Sequence, residues 1–115
     1  MSAPSIPSMY FKLVSAATTN AKLIKSGLSY VSVIDIGNNS GTAIYVKFYD
    51  MATAPTVGTS VPVHTFYIPA SSARTITFPT CMEFAIGLAM AVTGASADAD
   101  ATAIAAGVIV NVGFN

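Results

Sequence analysis

A strict alternation of apolar and polar residues, repeated in separate segments, constrains the fold of this chain more than any other feature. In Gly41–Asp50, one face of an extended strand would carry Ile44, Val46 and Phe48. The same period of two recurs in residues 75–78, 84–90 and 108–114. A helix would spread these apolar side chains around its circumference, so the pattern predicts β-strands.

Turn-forming residues separate these segments. Gly37–Gly41 (GNNSG) is predicted to be a hairpin connection, and Pro69–Ser72 (PASS) a second short turn. Gly94–Gly107 (GASADADATAIAAG) is predicted to be an extended or looped excursion that could include one helical turn. About eight strands are predicted, near residues 9–14, 21–26, 28–37, 42–50, 62–69, 73–78, 82–92 and 107–114. Short strands at this spacing indicate an all-β sandwich or a small barrel. We favour an antiparallel β-sandwich, jelly-roll-like or Ig-like in topology.

The domain organisation is predicted to be simple. Residues 1–8 contain Pro4, Pro7 and three serines, which favours a flexible N-terminal arm. The length of 115 residues leaves room for one domain, so residues 9–115 are predicted to form a single β-sandwich domain.

The composition indicates that part of the surface is not exposed to solvent when the protein functions. Only ten residues are charged, five of each sign, whereas 53% are hydrophobic. An average chain has about 25% charged residues, nearly three times the density found here. Net charge near zero also removes the repulsion that keeps small domains apart. The chain is therefore predicted to bury much of its exterior against copies of itself or a partner.

The same composition argues against other partners and locations. Lys22 and Lys25 are the nearest approach to a basic patch, so no nucleic-acid partner is expected. The longest apolar run, Phe84–Val92, is far shorter than the roughly 18 residues that span a bilayer, so no membrane partner is expected either. The first ten residues lack the pattern of a signal peptide, which predicts synthesis in the cytoplasm.

The residues that could carry chemistry are few. Cys81 is the only cysteine and His64 the only histidine, so a nucleophilic pair is conceivable. A small buried cysteine before a strand and a surface histidine are the plainer interpretations. Asp98 and Asp100 could chelate calcium with Ser96 or a backbone carbonyl, but solvated turn aspartates are favoured. No catalytic, metal-binding or cofactor-binding residue is predicted, and neither is an enzyme.

Aromatic residues offer two alternatives. Tyr45, Tyr49 and Tyr67 alternate with the core aromatics Phe48 and Phe66, so they are predicted to be exposed. They could stack on sugars, or they could fill a subunit interface, which the low charge favours. For a glycan site, the best candidates to accompany Tyr49 are Asn38, Asn39 and Asp50. Asp50 is otherwise predicted to end a strand and cap the following turn.

One longer pattern resembles a known group of proteins. Tyr45–Pro62 (YVKFYDMATAPTVGTSVP), Ile68-Pro69-Ala70 and Gly94–Gly107 resemble segments of small proteins encoded among tailed-bacteriophage structural genes. The resemblance covers about residues 20–114 and excludes the N-terminal arm. It implies a virion component: a β-sandwich subunit that decorates a capsid or joins a tail structure. No active-site residue belongs to the pattern.

These observations lead to one expectation with alternatives. The chain is expected to be a capsid decoration (cement) protein of a phage virion that forms homo-oligomers, with a trimer favoured, and contacts the major capsid protein or another virion protein. A tail, connector or fibre subunit and a host-glycan-binding module are the alternatives.

Overall fold

Residues 9–115 form two stacked, antiparallel, four-stranded sheets in the computed structural model, and no helix occurs among them. The all-β, eight-stranded sandwich predicted from the sequence is confirmed. The proposed arm, residues 1–8, lies outside the described residues. The strands are β1 (Met9–Val14), β2 (Lys22–Ser26), β3 (Ser29–Asn38), β4 (Ile44–Asp50), β5 (His64–Ile68), β6 (Ser72–Phe84), β7 (Gly87–Thr93) and β8 (Val108–Phe114).

The strand order resolves which type of sandwich this is. Sheet I has the order β1-β8-β3-β6, and sheet II has the order β2-β7-β4-β5. The antiparallel pairs β1–β8, β2–β7, β3–β6 and β4–β5 are nested as if one long hairpin had been rolled up. Of the two topologies expected, this nesting is the jelly-roll-like one, because an immunoglobulin domain divides its strands differently.

The core lies between the two sheets and is built from the alternating residues that predicted the strands. Ile44, Val46 and Phe48 of β4 are fully buried there. Val108, Val110 and Val112 of β8 face them from sheet I, also without exposure. Burying each such side chain stabilises the fold by about 1.5–3 kcal/mol relative to leaving it exposed to water.

The predicted strand over 82–92 is wrong, because the chain turns in its middle. β6 ends at Phe84 in sheet I, and β7 begins at Gly87 in sheet II. The Asp50 carboxylate accepts hydrogen bonds from the backbone N–H groups of Ile86 (2.8 Å) and Gly87 (3.1 Å), which fixes this turn. Ile86 therefore points into solvent instead of joining the core.

β6 is longer than the predicted 73–78 because it continues through an irregularity. Its register against β3 shifts between Val31 and Val33, where β6 carries extra residues that include Pro79 and Cys81. β6 is an edge strand, where the missing N–H of a proline breaks no ladder bond. Cys81 has φ of 55°, a backbone conformation typical of such bulges.

The predicted hairpin at Gly37–Gly41 is wrong, because β3 and β4 belong to different sheets and this connection crosses between them. Asn38, fully buried, holds the crossing together. Its Nδ2 donates to the carbonyls of Thr42 (2.9 Å) and Pro69 (3.0 Å), and its Oδ1 accepts from the Ser40 N–H (3.0 Å).

The turn at Pro69–Ser72 is confirmed, with Ser71 at φ of 52°. Residues 94–107 form the predicted looped excursion.

Candidate functional site

The outer face of sheet II is covered by two loops of the chain itself. Tyr49, Ala89 and Ala91 are fully buried on this face, and Met51 and Val57 of the β4–β5 loop pack against them. The β7–β8 loop lies beside it: a Cβ placed on Gly58 would stand 3.5 Å from the Cβ of Ala101. This face is therefore closed to a partner over its central strands.

Lys47 is the most unusual side chain under these loops. It is fully buried, and its Nζ donates a 2.6 Å hydrogen bond to the carbonyl of Ala97 in the β7–β8 loop. Burial lowers the pKa of Lys47, while the charges of Asp100 and Asp98 act in the opposite direction. The alternation in the sequence places Lys47 on the outer face, but nothing in it predicts the loop that covers this lysine.

Asp100 closes the loop that receives Lys47. Its carboxylate accepts hydrogen bonds from the Thr102 hydroxyl (2.7 Å), the Thr102 N–H (3.2 Å) and the Ala95 N–H (3.2 Å). These bonds, the Thr102 hydroxyl first, hold the pKa of Asp100 below its usual value. Both oxygens are engaged within the loop, and residues 9–115 contain no group of three or more His, Cys, Asp or Glu placed to hold a metal ion.

The three tyrosines predicted to be exposed differ in environment. Tyr45 and Tyr67 pack together on the outer face of sheet II with ring centroids 5.3 Å apart, and Tyr67 is half exposed. The prediction is wrong for Tyr49, which is fully buried because the β4–β5 loop folds over it. Burial raises the pKa of Tyr49, and within residues 9–115 its hydroxyl has no hydrogen-bond partner.

The candidate glycan residues form no exposed cluster. Asn38 and Tyr49 are buried, and Asn39 and Asp50 lie at opposite ends of β4. A seven-residue strand separates those ends by about 20 Å. Asp50 does end a strand, as predicted, but it holds the turn between β6 and β7 rather than the turn that follows it.

His64 and Cys81 lie in different sheets. His64 is exposed on β5, and its ring stacks on Phe66 with centroids 6.3 Å apart. Cys81 is partly buried within β6 rather than buried before a strand. The structure thus gives each residue a position without joining them in one site.

Within residues 9–115, no segment covers the outer face of sheet I. Neighbouring strands place its outward residues in rows, for example Tyr10–Gly113–Val33 and Lys12–Asn111–Asp35. Tyr10 and Val14 are 71% and 64% exposed. We call this surface the open face, and it comprises Tyr10, Lys12, Val14, Val33, Asp35, Gly37, Ala73, Thr75, Thr77, Ile109, Asn111 and Gly113. Lys12 and Asp35 are the two charged residues in these rows, so a partner could cover the rows at a small desolvation cost. The exposed Glu83, which pairs with Tyr30 farther along β6, is a third charge on this side of the sheet.

Gly37 stands in the middle of the third row of the open face, between Ile109 and Ala73. A Cβ added to it would meet nothing within 4 Å, and its φ is not positive. Neither internal packing nor backbone conformation therefore requires glycine here, although glycine weakens a strand interior. A glycine of this kind often marks the close approach of another backbone or a ligand.

Comparisons with known proteins give a weak likeness to viral coat proteins. One structure of the Tobacco streak virus coat protein is 13% identical over 94% of this chain and 87% of that chain, with a TM-score of 0.36. A structure of the dimer of that coat protein is 11% identical over 91% and 83%, with a TM-score of 0.35. No protein-family model matches the sequence, and no curated protein matches it.

Among residues 9–115, no helix has the length and hydropathy of a membrane-spanning segment.

Proposed function

We propose that this chain is a non-enzymatic virion structural protein, a capsid decoration protein that assembles as an oligomer and stabilises a phage shell. The observation that carries the proposal is the contrast between the two outer faces. The chain covers much of sheet II with its own loops, whereas the open face of sheet I presents two charges among twelve residues.

The mechanism is geometric rather than chemical. A rigid sandwich presents a surface of low charge that associates at small desolvation cost, and symmetry repeats each contact many times. The jelly-roll-like topology supports the proposal by analogy, because viral capsid domains are among its common uses. The resemblance of Tyr45–Pro62 and Gly94–Gly107 to phage structural proteins points the same way. The proposal places the mature protein in the virion after synthesis in the host cytoplasm, and it keeps the trimer favoured by the sequence.

The test is the composition of particles produced from the genome that encodes this chain. Mass spectrometry of purified particles is expected to find the chain in a fixed ratio to the major capsid protein. Particles that lack it are expected to lose their contents at a lower temperature, and adding the purified chain is expected to restore their heat resistance.

Two results would contradict this proposal. A few copies per particle, confined to the tail, would indicate the tail or connector alternative. Absence from purified particles, together with retention on an array of host glycans, would indicate the glycan-binding alternative, for which the Tyr45–Tyr67 pair, with Tyr67 half exposed, is the best remaining surface.

A further inference from the structure

The two charges of the open face are arranged in a way that suits a second copy of the same face. Lys12 on β1 and Asp35 on β3 lie in one register row, with Asn111 of β8 between them. Two strand spacings, about 10 Å, separate their Cα atoms. Asp35 accepts a hydrogen bond from the Thr75 hydroxyl (2.8 Å), which leaves its second carboxylate oxygen available for a partner.

We propose that two copies of this chain pack open face against open face, about a two-fold axis that runs parallel to β8. Such an axis places β8 over the partner's β8, and β1 over the partner's β3. Lys12 then faces the partner's Asp35, and by symmetry Asp35 faces the partner's Lys12. The rows that face each other across β1, β8 and β3 therefore contain two opposite-charge pairs and no unpaired charge, which suits an isologous contact.

The rows on either side fit the same axis. Val14, which projects from β1, faces the partner's Gly37, where the space for a Cβ is open. Tyr10 faces the partner's Val33. A projecting side chain thus lies opposite a missing one, which lets the two sheets approach to the roughly 10 Å spacing of packed sheets. This contact would also explain why position 37 is glycine, which packing within one chain does not require.

A second copy is favoured over other occupants because the pattern is complementary to itself. The inference rests on the proposed self-association but not on the role in a virion. Its two-fold contact leaves the sheet edges and loops of each subunit available for the proposed threefold contacts.

Charge reversal tests the pairing directly. In Lys12→Glu, a carboxylate would face the partner's Asp35, and in Asp35→Lys, an ammonium would face the partner's Lys12. Each variant alone is expected to self-associate at least about tenfold more weakly than the wild type, measured by sedimentation velocity over a concentration series. In an equimolar mixture of the two variants, both facing pairs again have opposite signs, so association is expected to return to within about threefold of the wild type.

Lys22→Glu on β2 of sheet II is the matched control, because it makes the same charge change away from the open face. All three positions are exposed, so circular dichroism is expected to show an unchanged fold. Wild-type association that neither variant alters, or a mixture no stronger than its components, would overturn the face-to-face pairing while leaving self-association in place. A wild type that never associates would overturn the pairing and the self-association together, whereas the particle composition tests the virion role separately.

Discussion

Replacing Gly87 with alanine is expected to destabilise the fold by about 3 kcal/mol, because the new methyl group has no room. Gly87 opens β7 directly against the end of β4, where its carbonyl accepts a hydrogen bond from the Met51 N–H (3.1 Å). A Cβ at this position would collide with the backbone carbonyl of Met51, whose carbon would be 2.8 Å away, and with the Cα of Ala52. Backbone cannot rotate aside as a flexible side chain can, so β4 and β7 would have to separate.

Gly41→Ala is the matched control for Gly87→Ala. A Cβ on Gly41 meets nothing within 4 Å, and its φ is not positive. Urea unfolding, followed by tyrosine fluorescence, is expected to show a large fall in the midpoint for Gly87→Ala and almost none for Gly41→Ala. Equal midpoints for the two variants would mean that β4 and β7 do not approach each other as closely as the structure has them.

Replacing Lys47 with alanine is expected to cost about 2–4 kcal/mol, since it removes buried methylenes and the hydrogen bond that anchors the β7–β8 loop. Lys22→Ala, at an exposed position of β2 in the same sheet, is expected to stay within about 0.5 kcal/mol of the wild type. Lys47→Met keeps most of the apolar stem but removes the charge and the hydrogen bond to Ala97, so its loss of stability is expected to be smaller than that of Lys47→Ala. Urea unfolding of the three variants measures these differences, and equal stability of Lys47→Ala and Lys22→Ala would refute the buried position of Lys47.

The wild type and Lys47→Met are also expected to differ in how their stability depends on pH. Because burial lowers the pKa of Lys47 in the folded state, the unfolded chain binds the proton more tightly. Stability is therefore expected to rise with pH from that lowered pKa up to the ordinary value of 10.5, and Lys47→Met is expected to lack this rise. Tyr49, whose pKa burial raises, acts in the opposite direction above its ordinary value of 10.0, so the comparison belongs below pH 10.

The sequence predicted the strands well where one face of each strand is buried. The alternation of Ile44, Val46 and Phe48 identified β4 because burial on one side imposes a period of two. It failed at residues 84–90, where the period continued through a turn. The cause of that turn is Asp50, which is more than thirty residues away in sequence.

The candidate site could be predicted only in part. Low charge indicated an interaction surface, but alternation alone could not distinguish an outward residue in water from one under a loop. Tyr49 and Tyr67 illustrate this limit: both point outward, yet one is fully buried and the other half exposed. The β4–β5 loop makes that difference, and a loop of this length has no periodicity that reveals where it packs.

We propose that the weakly charged surface of this chain serves for its assembly with copies of itself. The most direct test is the mass of the purified chain in solution, measured by light scattering across a concentration series. We expect a mass that rises from that of the 11.8 kDa chain to a defined multiple of it as concentration increases. A mass that stays at that of one chain throughout the series would contradict the proposed self-assembly.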